Sequence, residues 1–112
     1  MIKNKTRKTL IAEKHYNFKS PISKAIGLMF SMNPKNLVFF FKKEEIVPLH
    51  MLFVIFPIDV LFLDKNKKVV DLKENFRPFT FYTPKAKAKY VIELPKGVVA
   101  KSKTKLNDII SF

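Results

Sequence analysis

A chain of 112 residues is the size of one domain and buries roughly 65% of its unfolded surface, enough for one core without staples. It contains no cysteine, which excludes disulfides, thiolate metal sites and a thiol nucleophile. Twenty-two Lys and Arg against nine Asp and Glu give a net charge of +13, which attracts polyanions and opposes self-association.

The N-terminal run from Met1 to Lys8 is basic. No apolar stretch of about 7–15 residues, as a secretory signal requires, follows before His15, so a cytoplasmic location is expected. Thr9 to Ala12 reads as a first strand. Ser20 and Pro21 open a short helix as N-cap and first helical residue, with Ile22, Ala25 and Ile26 on its core face and Gly27 at its end. Leu37 to Phe41 is an apolar strand, and Lys42 to Glu45 a charged loop tip. The longest apolar stretch, Leu49 to Leu63, contains Pro57 and Asp59 and falls short of the roughly 18–20 residues of a membrane helix. It reads as two strands, His50 to Phe56 and Val60 to Leu63, with Pro57 at an edge, bend or bulge.

Asp64 to Lys68 is a turn leading into Val69 to Leu72, the clearest hairpin. Phe79 to Tyr82 is another short strand. Ala86, Ala88, Tyr90, Ile92 and Leu94 then alternate with Lys85, Lys87, Lys89, Val91 and Glu93. A period of two marks a half-buried strand. Pro95 to Gly97 turns the chain, Val98 to Lys101 forms one helical turn, and Leu106 to Asp108 is a tight turn before a last strand, Ile109 to Phe112. The pattern predicts a single, mainly β (α+β) domain over residues 1–112. Its expected form is a small, partly closed β-barrel or a strongly curved antiparallel sheet with one or two short helices. Phe39, Phe41, Phe53, Leu61, Leu63, Tyr90, Ile92 and Leu94 are the expected core.

Several of these segments, in this order, resemble the DUF192 family, also called UPF0127. Gly27-Leu28-Met29-Phe30 is similar to its early GLMF element. The run from Phe56 to Asp64 resembles its central P-L-D-V-L-F-L-D stretch, and Ala88 to Gly97 its A-x-Y-V-L-E-L-P-x-G stretch. Asn107-Asp108 stands where the family usually has Gly-Asp. The resemblance spans Ile22 to Phe112 and implies a fold more than an activity. His50-Met51-Leu52-Phe53 departs from the bacterial Trp-Met-x-Asn, so a contact made by that Trp or Asn is not carried over. Asn107 suits a left-handed turn, because Asn tolerates that region better than most residues.

No catalytic motif is present: there is no Gly-rich phosphate loop, G-x-S-x-G or H-E-x-x-H. Neither histidine, His15 or His50, has metal-ligand spacing, so no metal or cofactor is expected. Asp64 reads as the residue that caps the hairpin turn. Asp59 shares a strand face with Leu61 and Leu63, where a carboxylate must find donors. It reads either as a structural acceptor of backbone N–H groups or as one acid of a pocket with His50 and Glu93. Lys85, Lys87 and Lys89 share a strand face; they either protect an edge strand or form a ladder for an anionic backbone, with Arg77 nearby. Phe76, Phe79, Phe81 and Tyr82 around Arg77 read either as core or as a stacking platform.

The leading expectation is a non-catalytic binding module for a polyanion such as RNA or DNA. A small-ligand protein or enzyme with a pocket near His50, Asp59 and Glu93 is the alternative. A structural or interaction domain, its charge serving only solubility, is the third.

Overall fold

A computed structural model describes residues 1–19, 36–50 and 56–112. The helix expected from Ser20, the core position Phe53 and most of the strand expected over 50–56 lie outside the described residues. The strands are β1 (Ile2–Asn4), β2 (Thr9–Ala12), β3 (Tyr16–Phe18), β4 (Leu37–Glu45), β5 (Leu49–His50), β6 (Ile58–Leu63), β7 (Val69–Phe76), β8 (Phe81–Tyr82), β9 (Ala88–Pro95) and β10 (Ile110–Ser111). One helical turn, α1 (Val98–Lys101), follows β9. The fold is therefore mainly β, as the short apolar runs predict.

The centre is a five-stranded sheet in the order β3-β4-β9-β6-β7. β6 is buried at all six positions because neighbours cover both of its faces. Leu61, Leu63, Ile92, Leu94 and Val38 point to a first face, where they meet Ile2, Ile11 and Ile110 of the three-stranded sheet β10-β1-β2 and Val99 of α1. Val60, Phe62, Phe76 and Val91 point to the second face. A two-stranded ribbon, β5-β8, reaches that face through Tyr82, whose ring lies 5.8 Å from Phe62 and 6.4 Å from Phe76.

Four expectations are corrected. The sheet is not purely antiparallel: β3 pairs with β4 in parallel, so the main sheet is mixed. The segment Lys42 to Glu45 continues β4, and Glu45 pairs with Ala88 of β9. β9 is the middle strand of the sheet, with Val91 buried on the face opposite Ile92 and Leu94, so it is not an edge. Phe79 lies in a turn before β8, outside any strand. Of the expected core, Leu61, Leu63, Ile92 and Leu94 are fully buried, while Phe39, Phe41 and Tyr90 pack at its margin.

Candidate functional site

Asp59 is 1% exposed and sits where β6 begins. A bulge in β7 opposite it puts Asn75 in the left-handed region, at φ 50°, and turns that residue's N–H inward. Gly97, at φ 93°, makes the matching bend after β9. The Asp59 carboxylate thus accepts the Asn75 N–H at 2.9 Å and the Gly97 and Val99 N–H groups at 3.0 Å each. It ties the end of the β6-β7 pair to the start of α1.

Glu93 lies on the other face. It pairs with Val60 of β6 and Leu37 of β4, whereas Asp59 pairs with Leu94. Successive residues of a strand alternate in direction, so the two carboxylates point away from each other across the sheet. Of the pocket expected from His50, Asp59 and Glu93, the register sets Asp59 and Glu93 on opposite faces of the sheet, and β5, which carries His50, pairs with β8. Burial pushes the Glu93 carboxyl up to about 7, and it has no hydrogen-bond or ion-pair partner among the described residues. Lys73 pairs with Val60 from the far side and directs its ammonium over the Tyr82 ring, 5.6 Å from the centroid.

A carboxyl raised in the folded state stays protonated there while the unfolded chain ionises. Stability is therefore lost as pH rises from about 4.5 to about 7 and stays lost above that. Unfolding in urea at pH 5 and 8.5 should show a decline of about 2–3 kcal/mol for the parent and a smaller one for Glu93→Gln. Equal declines in the two proteins would remove Glu93 as the cause.

Asp71 anchors the segment after β7. Its carboxylate accepts the Tyr82 O–H at 2.9 Å and the Lys85 N–H at 2.8 Å. Burial, then the Asp71 hydrogen bond and charge, push the Tyr82 phenol up to about 12. Between these anchors the turn Arg77-Pro78-Phe79-Thr80 stands out from the sheet, with the Thr80 hydroxyl donating to the Arg77 carbonyl. Phe79 is 72% exposed at φ 62°, and Phe81 is 64% exposed. Of the aromatic residues around Arg77, Phe76 is therefore core and Tyr82 an anchor, while Phe79 and Phe81 face water beside the exposed Arg77.

The three-lysine row does not form as a strand face. Lys85 and Lys87 precede β9 and are exposed; Lys89 is within it and donates from Nζ to the Lys42 carbonyl at 2.8 Å. Arg77, Lys85 and Lys87 are left as accessible cations on the two sides of β8.

Sequence reasoning missed a buried polar network on the first face. Asn4 Nδ2 donates to Thr104 Oγ1 at 3.0 Å and to Asp108 Oδ2 at 2.9 Å. Arg7 Nε and the Lys105 N–H donate to the same Asp108 oxygen, at 3.0 and 2.9 Å. The Ser102 and Thr104 hydroxyls lie 2.8 Å apart. Burial pushes the Asp108 carboxyl up, but the hydrogen bonds from Arg7, Asn4 and Lys105 together hold it below the usual Asp value. Next to the network is an open groove lined by Arg7, Leu72, Glu74, Val99 and Leu106 among others. No group of three or more potential metal ligands occurs among the described residues, and none of their helices is long and apolar enough to cross a membrane.

The molecule so defined is a small, basic β-domain in which a carboxylate-centred polar network clamps one face of a central sheet. The DUF192 family profile, described as uncharacterized ACR, matches residues 3–112. The chain belongs to the DUF192 family, also called UPF0127. It is 40% identical over 89 residues to a UPF0127 protein of Thermococcus sibiricus, covering 77% of this chain and 57% of that relative, so it spans little more than half that relative's length. A UPF0127 protein of Pyrococcus horikoshii is 39% identical over 93 residues, covering 81% of this chain and 80% of the relative. Among solved structures, a Novosphingobium aromaticivorans protein of unknown function has a TM-score of 0.77 at 20% identity, covering 86% of this chain and 72% of its own. A Sinorhizobium meliloti protein, provisionally described as a transcription regulator, has a TM-score of 0.75 at 24% identity, covering 85% and 78%. At such identities these two likenesses concern the fold alone.

Proposed function

We propose that this protein is a binding module for nucleic acid. The observation that carries the reading is where the acids lie. Asp59, Asp71 and Asp108 are buried and directed at N–H and O–H donors, and burial holds Glu93 partly protonated near neutral pH. The surface is therefore even more cationic than the composition suggests. Lysine enrichment of the thermophilic kind works through surface ion-pair networks. Among the described residues there is one salt bridge, Arg7 to Asp108, so the described lysines are not joined in such networks.

The contact we assign to bases is the turn at Phe79, flanked by Arg77, Lys85 and Lys87. A phenylalanine held outward in a left-handed conformation, beside cations, offers a stacking surface that accepts any unpaired base. Single strands are the expected target, since duplex bases present no free face. The provisional description of the Sinorhizobium meliloti protein as a transcription regulator points in the same direction.

The test is fluorescence anisotropy with a labelled single-stranded 20-mer and its duplex, titrated across salt. Binding should favour the single strand and fall linearly on a log–log plot against salt. Phe79→Ala should weaken it by about 1–3 kcal/mol, the usual worth of one stacked base. Absence of binding at about 50 mM salt, where phosphate contacts are strong, would sink the reading.

A further inference from the structure

We propose that two basic turns on the first face, residues 5–8 and 101–105, together form a phosphate-binding surface for a nucleic-acid backbone, separate from the Phe79 turn. This rests on the nucleic-acid reading above.

The turns are far apart in sequence and are fastened side by side. Thr9 Oγ1 donates to the Ser102 carbonyl at 2.7 Å, Arg7 reaches Asp108, and Asn4 bridges Thr104 and Asp108. In the stretch from Lys101 to Lys105 the small polar residues turn in, Ser102 and Thr104 being 2% and 5% exposed, while Lys101, Lys103 and Lys105 are exposed between them. Lys5 and Lys8 are exposed on the facing turn. The buried network thus fixes the bases of five outward lysines, and Asp108, being inside and already paired, does not neutralise them. Glu74 is the acid that lines the adjoining groove among the described residues.

A second observation is conformational. Lys8 and Lys103 both stand at φ 59°, where Gly or Asn is favoured over a long side chain. Lys67, at φ 62°, has a packing reason for its place: its ammonium lies 4.1 Å from the Phe112 ring centroid and 5.8 Å from that of Tyr90. The side chains of Lys8 and Lys103 have no hydrogen-bond or ion-pair partner among the described residues. Lys103 closes the end of α1 with its N–H on the Ala100 carbonyl, and Lys8 ends the turn before β2. A cation with no partner among the described residues, kept at each of these left-handed positions, fits an external anion.

The two surfaces are anchored on opposite faces of the main sheet. The Phe79 turn is held on the second face by Tyr82 and Asp71, and the paired turns are held on the first beside Val99. A substitution at one should leave the other intact.

The experiment compares the parent with a Lys8→Asn/Lys103→Asn double variant, using the single-stranded 20-mer. Asn tolerates the left-handed region, so the melting temperature should hold or rise. The log–log salt slope should fall by about 1.4, from roughly 0.7 for each of two phosphate contacts. Phe79→Ala should weaken binding with the slope unchanged. If the Asn pair lowers the melting temperature, Lys101→Gln/Lys105→Gln, at ordinary backbone positions, carries the same slope test. A parent-like slope in the double variant, with the parent binding normally, overturns the inference and leaves the nucleic-acid reading in place. A parent that does not bind at low salt overturns both.

Discussion

Asp59→Ala is expected to lose about 3–5 kcal/mol of unfolding free energy, measured by urea denaturation at neutral pH. The substitution strands three backbone donors together, the N–H groups of Asn75, Gly97 and Val99. Each buried, unsatisfied donor costs about 1–3 kcal/mol, with the Val99 amide the most deeply enclosed and the other two partly reached by water. Two of the three anchor backbone that is already demanding, the bulge at Asn75 and the left-handed Gly97. Asp59→Asn keeps one acceptor oxygen and should recover part of the loss. A parent-like stability for the Ala variant would mean that the β6-β7 bulge and α1 hold without the carboxylate, and the structural account of this residue would fail.

A loss of similar size, about 3–5 kcal/mol, is expected for Asp108→Ala, because Asn4, Arg7 and the Lys105 amide all converge on one of its oxygens. Arg7 is 40% exposed, so solvent screens the ion pair and most of the effect belongs to the Asn4 and Lys105 hydrogen bonds. The sign of the pH dependence is opposite to that of Glu93. The Asp108 carboxyl is held below its usual value in the folded state. Its contribution is complete above the unfolded value of about 4 and disappears as pH falls through the lower folded value. Asp108→Asn should therefore be less stable than the parent at neutral pH and should lose less on acidification to about pH 2.5. An acid limb identical to the parent's would assign the acid sensitivity to another carboxylate.

Much of the fold was legible because its signals are local. Asp64 caps the hairpin turn as its position suggested, accepting the Asn66 and Lys68 N–H groups from one oxygen. Asn107 takes the left-handed conformation, at φ 74°, that the family's Gly-Asp pattern implies. Asp59, set among the leucines of β6, had to find donors, and it takes them from the Asn75, Gly97 and Val99 N–H groups. The errors arose where tertiary context decides. The alternation from Lys85 to Leu94 looked one-sided because lysine occupied the odd positions at its start, yet Val91 is buried on the second face, under a covering no local window contains. β1 went unread because Lys3 and Lys5 mask the two buried residues, Ile2 and Asn4. Of the Asn4–Asp108 network only Asp108 had a sequence signal, through the Gly-Asp resemblance: Asn4 lies in a basic run, Ser102 and Thr104 among lysines, and only the fold shows that these three face inward.

The hydrogen bond between Asn4 and Asp108 closes a loop of 104 residues, and β1 completes its sheet by pairing with β10. Loop-closure entropy weighs against such a contact forming early, and domains dominated by distant pairings fold in milliseconds to seconds. During synthesis the first strand leaves the ribosome long before its partner exists. The cover that Ile110 supplies to Ile2, Ile11 and Ala12 is the last part of that cluster to be synthesised. The basic residues around them, Lys3, Lys5, Arg7 and Lys8, then have an earlier task. Their like charges oppose the pairing of one copy of this hairpin with another.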